Sequence, residues 1–310
     1  MANSFTDNMV HPRYWIKAFR LRTLPLAFST VWMGSAAAYV SQSFKFNVAL
    51  LATTTTLFLQ ILSNLANDYG DAVSGADKIR TGPARMVQGG FISRAQMLAM
   101  IGVFVFLSLL SGIALLWIAM PSIFSAKGFA FFILGILAIA AAINYTVGRN
   151  PYGYKGWGDF FVFVFFGLLG VFGTFYLHMG AFDPLVVLPA SAIGFLSVGV
   201  LNVNNLRDRE NDARSGKNSL VVIFGKRFGV VYQFCLVIGA LGFMAAFIRL
   251  ATGGKWIWLV LLMLPAFAIH LHRINQAASP QDIDPELKRL SVTTFLTVLL
   301  FVAGLFLNAF

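Results

Sequence analysis

The sequence predicts an all-α, polytopic membrane protein with about nine spanning helices, and three observations predict it. Hydrophobic residues make up 58% of the 310-residue chain and charged residues only 11%, against about 25% charged in a soluble domain; the mean hydropathy is +0.77. The apolar residues come in runs close to the ~20 residues that cross a bilayer. Of the 23 Lys and Arg, only Lys45, Lys127, Arg249 and Lys255 fall in one set of connecting loops, and the rest lie in the alternate set. Helices satisfy their own backbone in lipid without closing a sheet, so each run reads as a helix. The formal charge of +11 could suggest nucleic acid. Its placement between spans is instead the topology signal of a membrane protein, so no nucleic-acid partner is expected, and it suits a polyanionic substrate such as a diphosphate. The single cysteine, Cys235, excludes an intrachain disulfide and a Cys metal site.

The first run, Leu24 to Val40, opens on Pro25, a residue tolerated in the first turn. It follows polar residues with no evident cleavable signal. Tyr14, Trp15 and the basic stripe Arg13, Lys17, Arg20 and Arg22 precede it, a pattern for docking on the inner leaflet or, alternatively, for a direct role in substrate binding. The second run, Val48 to Ala66, leads directly into a polar block, Asn67 to Arg85. The third and fourth, Met97 to Ala119 and Gly128 to Tyr145, are followed by a short aromatic, glycine-rich loop ending at Asp159. The fifth, Phe160 to Met179, and sixth, Leu185 to Val203, lead without a turn residue into a second polar block, Asn204 to Leu220. The last three, Val230 to Leu250, Ile257 to His270 and Val292 to Phe310, carry few polar groups and read as scaffold and lipid-facing wall. His270 and His272 are expected to contact headgroups. With nine spans, the Lys and Arg bias puts the N-terminus and both polar blocks on the cytoplasmic side of the cell (inner) membrane. The whole chain, residues 1–310, is expected to form one domain.

The two blocks share a pattern. Asn67 and Asp71 are spaced i, i+4, and Asn204, Asp208 and Asp212 are spaced i, i+4, i+8. Residues four apart share a helical face, and like charges there repel unless a cation lies between them. Oxygen-only ligands suit Mg²⁺. Acidic groups near hydrocarbon cost about 2.5–3.5 kcal/mol each at a helix centre, so Asp68, Asp71, Asp77, Asp208, Glu210 and Asp212 are candidates for more than topology. Basic residues in the same blocks, Lys78, Arg80, Arg207 and Lys217, could hold phosphate oxygens, Arg in bidentate fashion. A metal-neutralised diphosphate is a good leaving group, and apolar walls suit a long hydrocarbon tail. The residues therefore point to a membrane enzyme that ionises a prenyl diphosphate. A transporter is the rival of another class. It is disfavoured because the charges gather at one membrane face and not at the midplane.

Four pieces of the chain resemble the UbiA superfamily of intramembrane prenyltransferases. They are Arg22-Thr23-Leu24-Pro25-Leu26 with Gly34-Ser35-Ala36; Asn67-Asp68-Tyr69-x-Asp71 with Asp77, Gly82-Pro83 and Arg85; Tyr145-Thr146 with Gly153-Tyr154-x-Gly156; and Asn204-Asn205-x-Arg207-Asp208 with Asp212, Gly216-Lys217 and Leu220. The flanking pieces are most similar to the branch that prenylates 1,4-dihydroxy-2-naphthoate. The resemblance implies helices around a central cavity with cytoplasmic cap loops. It implies Mg²⁺ held by Asp68, Asp71, Asp208 and Asp212, with Asp77 two residues later than the usual third Asp because position 75 is Gly. It implies that Asn67 and Asn204 support the metal, that Lys78, Arg80, Arg85, Arg149, Arg207 and Lys217 bind substrate, and that Tyr145 and Tyr154 shield an allylic cation. The implied reaction moves a polyprenyl group from polyprenyl diphosphate to 1,4-dihydroxy-2-naphthoate, with loss of diphosphate and carbon dioxide, to give a demethylmenaquinol. Other acceptors of the superfamily, such as 4-hydroxybenzoate, are the near alternatives. Val147, Arg149, Tyr152 and Asp159 depart from the usual loop pattern, and Ser219 replaces a Thr.

Overall fold

The computed structural model describes residues 10–74, 85–148 and 151–308. Apart from short 3-10 turns at Leu21–Thr23 and Tyr152–Lys155, the described residues fold into ten helices and contain no strand. A short surface helix, α1 (Pro12–Phe19), precedes α2 (Leu24–Val40). There follow α3 (Phe46–Ser74), α4 (Arg94–Ala119), α5 (Ala126–Asn144), α6 (Gly158–Met179), α7 (Pro184–Arg214), α8 (Leu220–Ala251), α9 (Trp256–Gln276) and α10 (Pro280–Asn308). These last eight are long and apolar enough to cross a bilayer. At 17 residues and 1.5 Å per residue, α2 is about 26 Å long, the lower end of a spanning length.

The helices begin where side chains can cap them. The Ser93 hydroxyl accepts from the Gln96 amide and the Gln96 side chain accepts from the Ser93 amide, a capping box that starts α4. Ser125 caps α5 through the Gly128 amide at 3.1 Å. Helix α8 is broken near its start at Gly225, whose φ of 86° suits a residue without a Cβ.

Helix α7 sits at the centre of the bundle. Of its most apolar stretch, 61% is buried, against 11% for α5 at the periphery. It packs on α2, α6, α8 and α10, while α3, α4 and α5 pack together on the other side. Two glycines permit the close approaches. A Cβ on Gly34 of α2 would lie 2.3 Å from the Val171 carbonyl oxygen of α6, and one on Gly167 of α6 would lie 2.7 Å from the Ala190 carbonyl of α7. Both contacts fall in the part of α6 that is wound as a π-helix, Phe163–Gly173.

The last three helices differ from the expected apolar scaffold. His270 is fully buried and not at the headgroups. One of its ring nitrogens meets Glu286 at 2.9 Å and the other meets Gln233 at 3.0 Å, and Gln233 in turn accepts from Asn202 at 2.9 Å. Arg289 pairs with the second Glu286 oxygen. This buried chain ties α7 to α8, α9 and α10. Removing the Glu286 carboxylate leaves the buried His270 ring nitrogen without its partner, and an unsatisfied buried polar group costs about 1–3 kcal/mol. Glu286→Ala is therefore expected to lower thermal stability in detergent by roughly that much, while Glu286→Gln, which keeps the shape and one acceptor, loses less; an unchanged melting temperature in Glu286→Ala would contradict this.

Candidate active site

Both polar blocks begin as helix. The second run does not stop at Ala66 but continues in α3 to Ser74, and the sixth continues in α7 to Arg214. The i, i+4 spacing of Asn67 and Asp71, and of Asn204, Asp208 and Asp212, is thus realised on two helix ends. The loop between α5 and α6 joins them. The Thr146 hydroxyl donates to Asn67 Oδ1 at 3.1 Å. The Tyr154 hydroxyl lies 3.2 Å from Asp71 Oδ1, and the Asn218 amide donates to the Tyr154 carbonyl at 2.9 Å. Glycine makes this junction possible: a Cβ on Gly70 would lie 2.7 Å from the Thr146 backbone, and one on Gly153 would lie 2.5 Å from the Tyr145 carbonyl oxygen.

Each acid that faces the junction is matched by a base. Asp71 pairs with Arg85. Asp208 takes Nε and Nη2 of Arg207 at 2.8 and 2.7 Å. Asp212 pairs with Lys217 at 3.0 Å. Arg207 also donates to Asn204 at 2.8 Å and to Asp284 at 2.6 Å. Asp284, on α10, was not signalled by the sequence, because it lies far from both blocks and carries no spacing of its own. It brings α10 to the junction and also lies 3.8 Å from Arg22.

The loop residues are tuned by these charges. Burial disfavours a charge on Lys217, but Asp212, with Tyr145 and Asp71 behind it, outweighs burial and holds the ammonium above the usual lysine range. So Lys217 feels acids from both helix ends. Burial pushes the Tyr145 phenol up; Lys217 pulls it down, while Asp159, Asp212 and Asp71 add to the rise. Burial, then Asp71, pushes Tyr154 up to about 12. Both phenols therefore stay neutral at working pH.

Asp68 is placed differently from its sequence neighbours. It is 2% exposed, and its two oxygens accept from the Met86 and Val87 amides, each at 3.0 Å. Asp68 therefore anchors the returning loop, whereas Asp71 faces the junction through Tyr154 and Arg85. The assignment of Asp68 to the metal rests on the sequence. Glu210 is exposed. Lys78, Arg80, Asp77 and Arg149 lie outside the described residues.

A cavity of about 430 Å³ opens beside the junction. Asn67, Asn204 and Tyr145 line it at that end. Its body is apolar, walled by residues such as Leu109, Ile113, Phe131, Phe132, Phe165 and Leu169 from α4, α5 and α6. The acids at its mouth offer hard oxygen donors from Asp71, Asp208 and Asp212, with amide oxygens on Asn67 and Asn204 one turn deeper. Among the described residues, no three acidic, His or Cys side chains already stand as a metal-ligand group; their present partners are the bases. The donor set fits a hard divalent ion such as Mg²⁺, provided the bases can turn to another anion when it binds.

Comparison with known proteins agrees with this architecture. The model of the UbiA prenyltransferase family matches residues 26–292. A protein of Escherichia coli (strain K12) named 1,4-dihydroxy-2-naphthoate octaprenyltransferase is 45% identical over 295 residues, covering 95% of each chain. One of the same name from Mycobacterium tuberculosis is 36% identical over 239 residues, covering 77% of this chain and 78% of the relative. Among solved structures, an apo UbiA homologue from Aeropyrum pernix K1 superposes with a TM-score of 0.68 at 14% identity, over 92% of this chain and 98% of that one. A UbiA homologue from Archaeoglobus fulgidus bound to DMAPP and Mg²⁺ superposes with a TM-score of 0.60 at 19% identity, with the same coverage.

Proposed function

Because the chain belongs to the UbiA prenyltransferase family, a family of multi-pass membrane proteins, we propose that it transfers a polyprenyl group from polyprenyl diphosphate to 1,4-dihydroxy-2-naphthoate. Diphosphate and carbon dioxide are released and a demethylmenaquinol forms, a step of menaquinone synthesis. The observation that carries this reading is the meeting of two Asn-x-x-x-Asp helix ends at the mouth of an apolar cavity. The names of the relatives at 36–45% identity support the acceptor.

Asp71, Asp208 and Asp212 would hold Mg²⁺, with Asn67 and Asn204 in support. Bound there, the metal neutralises diphosphate charge and makes it a better leaving group. The bases then change partner. Arg85, Arg207 and Lys217 turn from the carboxylates to the diphosphate oxygens, so the net charge of the junction changes little as substrate and metal enter together. Lys78, Arg80 and Arg149 are assigned to the same clamp, and Asp68 and Asp77 to the metal, from the sequence. The C–O bond of the allylic diphosphate breaks, and the π face of Tyr145, which lines the cavity, stabilises the allylic cation. Tyr154, held by Asp71 and Ser74, closes the near side. The electron-rich ring attacks the cation at its carboxylate-bearing carbon. Loss of carbon dioxide then restores aromaticity, so no protein base is needed at that carbon. The prenyl tail lies in the apolar body of the cavity, away from water that would quench the cation.

The Lys and Arg bias supports a junction facing the cytoplasm of the cell membrane, with the N-terminus on that side, and residues 1–310 acting as one unit. The test is product mass from purified protein given a prenyl diphosphate and each acceptor, with and without Mg²⁺. The expected result is a decarboxylated, prenylated naphthalenediol that forms only with the naphthoate and the metal. Turnover with 4-hydroxybenzoate alone, or none at all, would overturn the reading.

A further inference from the structure

Two polar residues on α10 line the cavity and have no part in the diphosphate clamp. Ser291 is 2% exposed. It lines the cavity, and its hydroxyl has no hydrogen-bond partner. The hydroxyls of Thr294 and Thr297 on the same helix bond the carbonyl four residues back, both at 2.8 Å. Ser291 does not, and an unsatisfied buried hydroxyl costs about 1–3 kcal/mol. Lys288, one turn earlier on the same face, lines the cavity rim. Its natural helical partner is Asp284 at i−4, but Asp284 is engaged by Arg207 at 2.6 Å and lies 3.8 Å from Arg22. Lys288 has no ion-pair partner among the described residues. Among the described residues, the cations lining the cavity are Arg20, Arg22 and Lys288, and no Asp or Glu lines it. Leu26 of α2, Val200 and Leu201 of α7 and Leu287 of α10 supply apolar walls beside them. Apolar walls, a hydroxyl within and an unmatched cation at the rim are complementary to a flat aromatic ring that carries a hydroxyl and a carboxylate.

We propose that Lys288 and Ser291 form the acceptor-recognition subsite, the ammonium pairing with the acceptor carboxylate and the serine hydroxyl hydrogen-bonding a ring hydroxyl. This rests on the transferase reading given above. It places the acceptor against α10, across the cavity mouth from the end of α3 and Asp71. It also assigns discrimination between acceptors to α10, separately from the two acidic helix ends that handle the donor.

The test is steady-state kinetics in both substrates. Lys288→Met is expected to raise KM for 1,4-dihydroxy-2-naphthoate about tenfold and Ser291→Ala about fivefold, with KM for the prenyl diphosphate within twofold of wild type. Lys288→Arg, which keeps the charge, should restore most of the loss. Naphthalene-1,4-diol, which lacks the carboxylate, serves as a competing ligand; its inhibition constant should rise in Ser291→Ala but stay within twofold in Lys288→Met. An unchanged acceptor KM in Lys288→Met, or an equal loss for the diol, would overturn the subsite while leaving wild-type turnover and the transferase reading intact. Absence of any wild-type product from the naphthoate would remove that reading, and the subsite with it. Should Lys288→Met fail to fold, Ser291→Ala carries the test, since alanine is well accepted in a helix.

Discussion

Replacing Asp208 by alanine is expected to lower turnover about 10²- to 10³-fold, with the protein still inserted and folded. The size follows from losing a preorganised charge where diphosphate departs, a loss worth roughly 3–4 kcal/mol in barrier. The survival of the fold follows from Arg207. Its side chain is 3% exposed, and an uncompensated buried guanidinium would be costly. Without Asp208 it still has Asp284 at 2.6 Å and Asn204 at 2.8 Å. Turnover falls while the melting temperature in detergent shifts little. Full activity in Asp208→Ala would refute the assignment of the α7 end to the metal and diphosphate, whereas a large fall in melting temperature would mean that Asp208 acts mainly on folding.

The second large effect is expected at Lys217, and its signature is two changes of opposite sign. Lys217 pairs with Asp212 at 3.0 Å, with a side chain 13% exposed, and it also feels Asp71 from α3. In Lys217→Met the diphosphate loses one cation, so KM for the prenyl diphosphate should rise on the order of 100-fold, as for a buried charge-assisted bond worth about 2–3 kcal/mol. The acids lose their resident cation at the same time. The site becomes more negative, and the Mg²⁺ concentration for half-maximal activity should fall. A purely structural lysine would move both constants the same way or neither. Kinetics at varied Mg²⁺ separate these outcomes.

The parts of this molecule that announce themselves in the sequence are those with a period or a contrast. Apolar runs between polar blocks locate the spans, and the run from Leu24 to Val40 coincides with α2. The Asn-x-x-x-Asp spacing is legible because the helix does not end where the hydrocarbon does. In α3 and α7 the helix goes on past Ala66 and Val203, so a helical spacing applies to polar residues that composition alone would assign to loops.

What was not legible depends on direction and partnership. Asp68 and Asp71 look alike in sequence and are near neighbours on one helix at i, i+3; what separates them is that the returning loop offers its Met86 and Val87 amides to Asp68 and the Arg85 side chain to Asp71. His270 sits at the end of an apolar run, where a headgroup contact and a buried hydrogen bond give the same pattern; only packing against Gln233 and Glu286 separates them. Asp284 and Ser291 become informative through neighbours from α2 and α7, and a single sequence does not pair distant positions. The winding of Phe163–Gly173 as a π-helix has no signal in an unbroken apolar run, although its glycines mark where neighbouring helices come close.

The central claim is that the ends of α3 and α7 act on one diphosphate. A double-mutant cycle between Asp71→Asn and Asp208→Asn, read as Mg²⁺-dependent pyrophosphate affinity by calorimetry, tests it most directly. Groups sharing one ligand should couple by about 1–3 kcal/mol, with the second substitution costing much less than the first. Losses that add to within about 0.5 kcal/mol, the behaviour of independent sites, would contradict the account.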